Sequence, residues 1–292
     1  MTVEKQSPCK VNLVLNILGK RPDGFHELET LMHPVAIFDL LSFSRGGGEL
    51  ILTCSEPSLP TDSGNLVHRA ATAFLRAAKI SDGVRVHLEK RIPLAAGLGG
   101  GSGNAATALL GLNELFGNPL ASVQIQRIAA SLGSDVPFFL QEHPALGTGR
   151  GEKIEALTPF AAMQKAAFVL IHPGFGISTA WAYQQLARFP AALNGQPGRA
   201  RSLAVRLQSG RVRAAGNDFY NSLEAPALEK YPLLALFQDF LREQGAAATL
   251  MSGSGSTTFA ITERLAEAET LAEKVKGKFG PTNWVVVVPA RP

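Results

Sequence analysis

Residues 93–109 read PLAAGLGGGSGNAATAL. Five glycines fall within the seven positions from Gly97 to Gly103, and an alanine-rich run of helical character follows at once. An ordinary turn needs one or two residues without a Cβ. A run of them lets several backbone N–H groups point into one concavity, and a helix starting there adds its unpaired N-terminal donors and the positive end of its dipole. Ser102 adds a hydroxyl. The stretch reads as a seat for phosphate, with a close-packed glycine turn that binds nothing as the bland alternative.

Two familiar glycine motifs do not describe it. Gly101-x-Gly103-x-x-Ala106 satisfies the dinucleotide fingerprint formally, but that motif sits in the tight turn directly after a strand, with an acidic residue ending the next strand. Here about a dozen residues separate the preceding strand from Gly101, and a second helix follows. A nucleotide-dependent oxidoreductase therefore has little support. The P-loop pattern fails as well, because Gly19-Lys20 and Gly277-Lys278 lead to Arg21 and Phe279 where Ser or Thr is required.

Working outward, Lys10 to Ile17 alternates, with Val11, Leu13, Leu15 and Ile17 on one face and Lys10, Asn12, Val14 and Asn16 on the other. That is a strand with one face on a core. Arg21-Pro22-Asp23-Gly24 is a turn. Strands are expected near 35–45, 49–54 and 84–88, and a helix after Asn65 as N-cap. Helices are expected at 103–116 and 121–132, and a short strand at 136–140. Further on come a strand at 166–171, a helix from Ser178 through Leu186, a loop or mobile helix over 188–216, and a helix at 226–243. Strand, glycine turn and strand follow across 247–261, then a packing helix at 262–276 and a buried strand at 284–288. Strand clusters beside helix clusters indicate α+β in two domains, with a boundary near 155.

The chain has 292 residues, 46% hydrophobic and 18% charged, which describes a globular protein with a substantial core. Its net charge of +4 is too small to imply a polyanionic partner. Five arginines gather between Arg199 and Arg213, without the interleaved aromatics that would stack bases. They read as a solvated face, with a phosphate-facing surface as the other possibility, and no nucleic-acid partner is expected. Two cysteines, Cys9 and Cys54, provide no disulfide framework, and six scattered histidines no zinc spacing. The first residues lack an apolar signal core, and no apolar run is long enough to cross a bilayer. A cytoplasmic protein is the expectation.

Three separated stretches together resemble the motifs of the GHMP kinases (galactokinase, homoserine kinase, mevalonate kinase, phosphomevalonate kinase). They are Pro8-Cys9-Lys10-Val11-Asn12-Leu13, the glycine stretch itself, and Met251-Ser252-Gly253-Ser254-Gly255-Ser256. Further stretches, Lys20 to His26, Ser131 to Phe139 and Gly216 to Phe219, resemble the branch acting on a cytidine-diphosphate derivative of methylerythritol. The resemblance implies a ribosomal protein S5-like N-terminal domain with a left-handed crossover and an α/β C-terminal domain. ATP binding would fall to 1–155 and substrate binding to 156–282, with 283–289 packing back onto the first. It implies ATP with Mg2+ as cofactor, and transfer of the γ-phosphate to a 2-hydroxyl in non-mevalonate isoprenoid synthesis.

Residue by residue, the resemblance implies Lys10 and Asp135 as the catalytic pair. For nucleotide it implies Asn65, Leu66, Pro93, Leu94, Gly97, Leu98, Gly99, Gly100, Gly101, Ser102 and Gly103. For substrate it implies Asn12, Phe25, His26, Thr179, Tyr183 and Asp218, with Phe25 stacking on cytosine, His26 hydrogen-bonding it and Tyr183 closing the sandwich. Trp181 and Phe175 compete with Tyr183 for that place. Phe25 stands where the family often has tyrosine, which leaves the π face intact. Gly103-Asn104 stands where the family usually continues Ser-Asp, so a negative side chain at the helix start is gone and the Mg2+ ligands are open. Rival readings are a GHMP kinase for another alcohol, such as homoserine or mevalonate, and a nucleotide-binding protein without catalysis.

Overall fold

A computed structural model describes residues 2–290. In chain order the strands and helices are β1 (Thr2–Lys20), β2 (His26–Arg45), β3 (Leu50–Cys54), α1 (Leu66–Ala78), β4 (Val84–Glu89), α2 (Gly100–Leu115) and α3 (Ser122–Leu132). Then come β5 (Ala145–Gly149), β6 (Lys153–Ala156), β7 (Ala167–His172), α4 (Thr179–Gln185), α5 (Pro190–Leu193) and α6 (Arg199–Ser209). The chain closes with β8 (Tyr220–Asn221), α7 (Glu224–Lys230), α8 (Pro232–Glu243), β9 (Ala248–Met251), β10 (Thr258–Thr262), α9 (Leu265–Phe279) and β11 (Trp284–Pro289).

Two compact units form. One gathers Ile37–Ile92 and Gly99–Glu142 with the chain up to Cys9; the other gathers Lys10–Ala36, Pro93–Leu98 and the chain from His143 on. In the first, the end of β2 pairs antiparallel with β4, Leu41 opposite Leu88 and Phe43 opposite Val86, and β3 runs parallel to β4 on its other side. α1 and α2 pack on each other. They bury Val67, Ala70, Ala71 and Phe74 from α1, and Ala105, Ala106, Ala108, Leu109 and Leu112 from α2. Alanine on α2 lets the helices approach closely, so its burial is nearly all-round rather than a stripe.

In the second unit β1 lies parallel to β8, with Val14 opposite Tyr220, and β2 pairs antiparallel with β5, which pairs with β6. A separate four-stranded sheet has the order β11-β7-β10-β9, antiparallel throughout. One hydrophobic cluster joins Leu15 and Ile17 of β1 to Val169 and Ile171 of β7, Leu234, Phe237 and Leu241 of α8, and Leu271 and Val275 of α9.

Five expectations are corrected. Residues 136–140 form a short 3-10 helix, because Pro137 supplies no ladder donor and its fixed φ suits a helical turn. Within 188–216 the helical alternative holds over Arg199–Ser209, and the loop gives way to α6, which buries Ala200, Leu203, Ala204 and Leu207 at helical spacing. The helix expected at 226–243 is two helices, since Pro232 opens α8 at its first position and keeps Tyr231 out of the helical region. The last strand does not return to the N-terminal part: Trp284–Pro289 pairs with β7. Finally, β1 is buried on both faces over 9–17, with Lys10, Asn12 and Asn16 covered as fully as its apolar residues.

Candidate active site

In the first unit, the glycine stretch becomes the start of α2, capped by Gly99. The N–H groups of the opening turn have no carbonyl four residues back to bind. Gly103 is where α2 rests on β1: a Cβ there would stand 2.5 Å from Pro8 O and 3.2 Å from Ser7 Oγ. Gly101 differs. It is exposed, and its Cβ would touch only Leu66 Cδ1, at an ordinary 3.8 Å. Neither packing nor backbone strain demands glycine there, so the bare backbone is left open to something outside the chain. Leu66 beside Gly101 also brings two of the expected nucleotide contacts together.

Asn65 caps α1, its Oδ1 accepting from Val67 N at 2.9 Å and its Nδ2 donating to Pro60 O at 2.8 Å. Both ends of the amide are thereby engaged. Asp135 opens the 3-10 helix after Gly133-Ser134 and is half-buried.

Asn104 lies on the covered side of α2 and is 2% exposed. Its Nδ2 donates to Asp39 Oδ2 at 2.8 Å and to Ser7 Oγ at 2.9 Å, and its Oδ1 accepts from Lys90 Nζ at 3.2 Å. Asp39 is fully buried and also accepts from Lys90 Nζ and from the N–H groups of Arg91 and Ile92, at 2.7 and 2.9 Å. Its carboxylate has four donors, as a buried charge requires. The departure at Gly103-Asn104 is thus a packing and hydrogen-bonding feature behind the helix start. None of these three buried side chains announces itself by spacing in the sequence.

In the second unit three sequence motifs meet. Lys10 Nζ donates to Asn12 Oδ1 and, at 3.2 Å, to Gly97 O. Ser252 Oγ donates to the same carbonyl at 2.9 Å and accepts from Asn12 N at 3.3 Å. Asn12 Nδ2 is held by Thr30 Oγ1 at 2.8 Å. The 93–98 segment, carrying Pro93, Leu94, Gly97 and Leu98, is pinned by Lys10 N to Leu98 O and Thr257 N to Ala96 O, at 2.9 and 3.1 Å. Gly97 is obligatory, because a Cβ would fall 2.0 Å from Ser252 O.

The same unit holds an aromatic group. The Arg21–Gly24 turn presents Phe25, 54% exposed, with the Arg150 guanidinium 4.7 Å over its ring. His26 packs against Tyr183 with centroids 5.1 Å apart. Phe175 and Trp181 instead pack on Tyr231, so the aromatic beside His26 is Tyr183. Burial, with the Lys20 charge as a lesser cause, lowers the His26 pKa and favours the neutral imidazole, which has one donor and one acceptor. Thr179 Oγ1 pairs with Ser254 Oγ at 2.9 Å, which ties α4 to the Met251–Ser256 turn. Asp218 forms an ion pair with Arg206 at 3.2 Å. Arg150 was not foreseen; it sits in a Gly-Arg-Gly turn whose composition signals only a turn. Among the described residues, no cluster of three or more His, Cys, Asp or Glu side chains could cage a metal, and no helix is long and apolar enough to cross a membrane.

Residues 65–143 match the model of the GHMP kinases N terminal domain, and 201–281 that of the GHMP kinases C terminal domain. A 4-diphosphocytidyl-2-C-methyl-D-erythritol kinase of Syntrophotalea carbinolica is 38% identical over 94% of this chain and 94% of its own. One of Syntrophus aciditrophicus is 41% identical over 96% of each. A crystal structure of 4-(cytidine 5'-diphospho)-2C-methyl-D-erythritol kinase superposes with TM-score 0.80, at 34% identity, over 97% of this chain and 98% of its own. The homoserine kinase of Cytophaga hutchinsonii, 18% identical with TM-score 0.75 over 98% of this chain and 94% of its own, shares the fold. The chain belongs to the GHMP kinases and, within them, to the 4-diphosphocytidyl-2-C-methyl-D-erythritol kinase family. As a member of a kinase family it uses ATP on a small-molecule alcohol.

Proposed function

We propose that the chain transfers the γ-phosphate of ATP to the 2-hydroxyl of 4-diphosphocytidyl-2-C-methyl-D-erythritol, giving the 2-phosphate and ADP in non-mevalonate isoprenoid precursor synthesis. The observation that carries the reading is the meeting of three separated motifs, the buried Lys10 ammonium on Asn12 and the Gly97 carbonyl and Ser252 on that same carbonyl. Whole-length similarity to kinases of that name supports the choice of substrate.

Phosphoryl transfer needs positioning and charge neutralisation more than covalent chemistry. Asp135 orients the attacking hydroxyl and accepts its proton. Lys10, held on two acceptors, presents its ammonium to the charge on the transferred group. The α2 start, with Gly99, Gly100, Gly101, Ser102 and Gly103, binds nucleotide phosphates, and Asn65 and Leu66 flank the base. Asn12 places the methylerythritol unit, with Thr179 and Asp218 as lesser contacts. Phe25 and Tyr183 sandwich the cytosine, and His26, neutral, offers it a donor and an acceptor. In this reading every nucleotide contact lies within 1–155, while the substrate contacts come from both stretches, Asn12, Phe25 and His26 from 1–155 and Thr179, Tyr183 and Asp218 from 156–282, in a cytoplasmic enzyme whose two cysteines suit a reducing compartment.

Mg2+ would take most of its shell from nucleotide phosphates and water, with the Ser102 hydroxyl at the α2 start as a side-chain donor, while Asn104 is committed elsewhere. When bound it neutralises charge on the phosphates.

The test is ADP release from ATP with a panel of the cytidyl substrate, mevalonate, homoserine and galactose. Turnover is expected with the first alone. Turnover confined to any of the other three would overturn the assignment.

A further inference from the structure

Asn221 ends the two-residue strand β8 and is 2% exposed, yet no step of the mechanism uses it. Its placement is tightly determined. β8 is in register with β1, Leu15 opposite Asn221, and Ser222 N donates to Leu15 O at 2.8 Å. Its Oδ1 accepts from Leu223 N at 2.9 Å. Both N–H donors of its amide then point the same way, Nδ2 donating to Met251 O at 2.8 Å and to Gly253 O at 2.7 Å. Those carbonyls flank Ser252, the residue whose hydroxyl grips the Gly97 carbonyl that also receives Lys10. From the other side, Glu224 accepts from Met251 N at 2.8 Å.

We infer that Asn221 is a positioning residue for phosphoryl transfer: by clamping the two carbonyls around Ser252 it fixes the turn that holds Gly97 O, and through that carbonyl the Lys10 ammonium. The inference rests on the reading of Lys10 as the catalytic cation. The side chain touches no reacting atom in this role; its effect is transmitted by a chain of named bonds from Nδ2 to the turn, from Ser252 Oγ to Gly97 O, and from Gly97 O to Nζ. A turn freed of the clamp has two buried carbonyls without donors, and it relaxes to satisfy them. The carbonyl under Lys10 moves with it, and misplacement of a charge-stabilising group costs rate more than binding.

The experiment is steady-state kinetics of Asn221→Ala, Ser252→Ala and the double variant, with Lys10→Ala alongside. Asn221→Ala is expected to lose roughly tenfold in kcat with both KM values within about twofold of wild type. Because both residues act through one carbonyl, the double variant should be no more than about twofold slower than the slower single. Unchanged kcat in Asn221→Ala, or rate losses that multiply in the double variant, would overturn the inference while a dead Lys10→Ala left the catalytic reading standing. Full turnover by Lys10→Ala would overturn both. Should Asn221→Ala not fold, Asn221→Asp, which keeps the size and loses the donors, takes its place with the same expected outcomes.

Discussion

The amide nitrogen of Asn104 lies 2.8 Å from Oδ2 of Asp39, the oxygen that also receives the Lys90 ammonium. Helix α2 therefore begins against a buried ion pair completed by a neutral amide. Removing one member of such a pair strands a buried charge, whereas removing the amide strands only polar groups. Asp39→Ala should lower the unfolding free energy by about 3–5 kcal/mol, and Asn104→Ala by about 1–2 kcal/mol. Urea denaturation of the two variants checks the order. Equal losses would mean that Asp39 contributes no more to the fold than the neutral amide beside it.

Gly101 and Gly103 stand two residues apart in α2 and face opposite constraints. Alanine at 103 would meet Pro8 O at 2.5 Å, so Gly103→Ala should destabilise the fold. Alanine at 101 meets only Leu66, at 3.8 Å, and improves helix propensity, so its stability should be unchanged or slightly raised. If phosphate approaches the backbone there, Gly101→Ala should still raise KM for ATP, by about tenfold or more. A wild-type KM for ATP in that variant would remove Gly101 from the phosphate seat.

Phe25 presents an exposed ring with Arg150 above it, and Tyr183 packs on His26. Base stacking is worth about 1–3 kcal/mol per aromatic, so Phe25→Ala and Tyr183→Ala should each raise KM for the cytidyl substrate roughly tenfold or more. KM for ATP should stay within about twofold. An unchanged KM for the cytidyl substrate in either variant would place the cytosine elsewhere.

Much of this was legible from one chain. The glycine run, Asn65 as a cap, and the alternation from Lys10 to Ile17 each carry a local signal, and local signals survive folding. The failures have physical causes. Val136-Pro137-Phe138-Phe139-Leu140 is a short apolar run, which periodicity cannot assign, and Pro137 decided it. α6 carries a helical stripe at 200, 203, 204 and 207, but glycine, proline and arginine around it mask the pattern. The second face of β1 looked solvated because it is polar. Its burial depends on partners far along the chain, Thr30 and Ser252 for Asn12, Glu29 and Gln196 for Asn16. Asp39, Lys90 and Asn221 were invisible for the same reason.

Asp135 opens a 3-10 helix, and the glycines proposed to bind nucleotide lie at the start of a different helix. Asp135→Ala should reduce kcat by about 100- to 10,000-fold, the range of a lost general base. The Kd for ATP, measured by calorimetry, should stay within about threefold if the carboxylate serves the acceptor hydroxyl first. Near-normal turnover would remove Asp135 from the mechanism, and a matching loss of ATP affinity would move it to the nucleotide.

His33 is fully buried between Phe160 and Phe168, its Nδ1 2.7 Å from Pro34 O, and burial lowers its pKa to about 4 from an ordinary 6.5. Between those values the unfolded chain binds a proton that the folded chain refuses. Stability therefore rises with pH through this window; the contribution is complete above 6.5 and is lost as pH falls toward 4. One proton across that interval amounts to about 3 kcal/mol. His26 and His172, also lowered by burial, add to the same trend, and Glu224, raised by burial, opposes it by favouring the proton-bound fold. The difference between wild type and His33→Phe isolates one group from these others. Urea unfolding from pH 7.5 down to 4.5 should show the variant losing less stability than wild type, with curves that diverge below about pH 6.5. Parallel curves would mean that His33 is protonated in the folded protein, or that water reaches it.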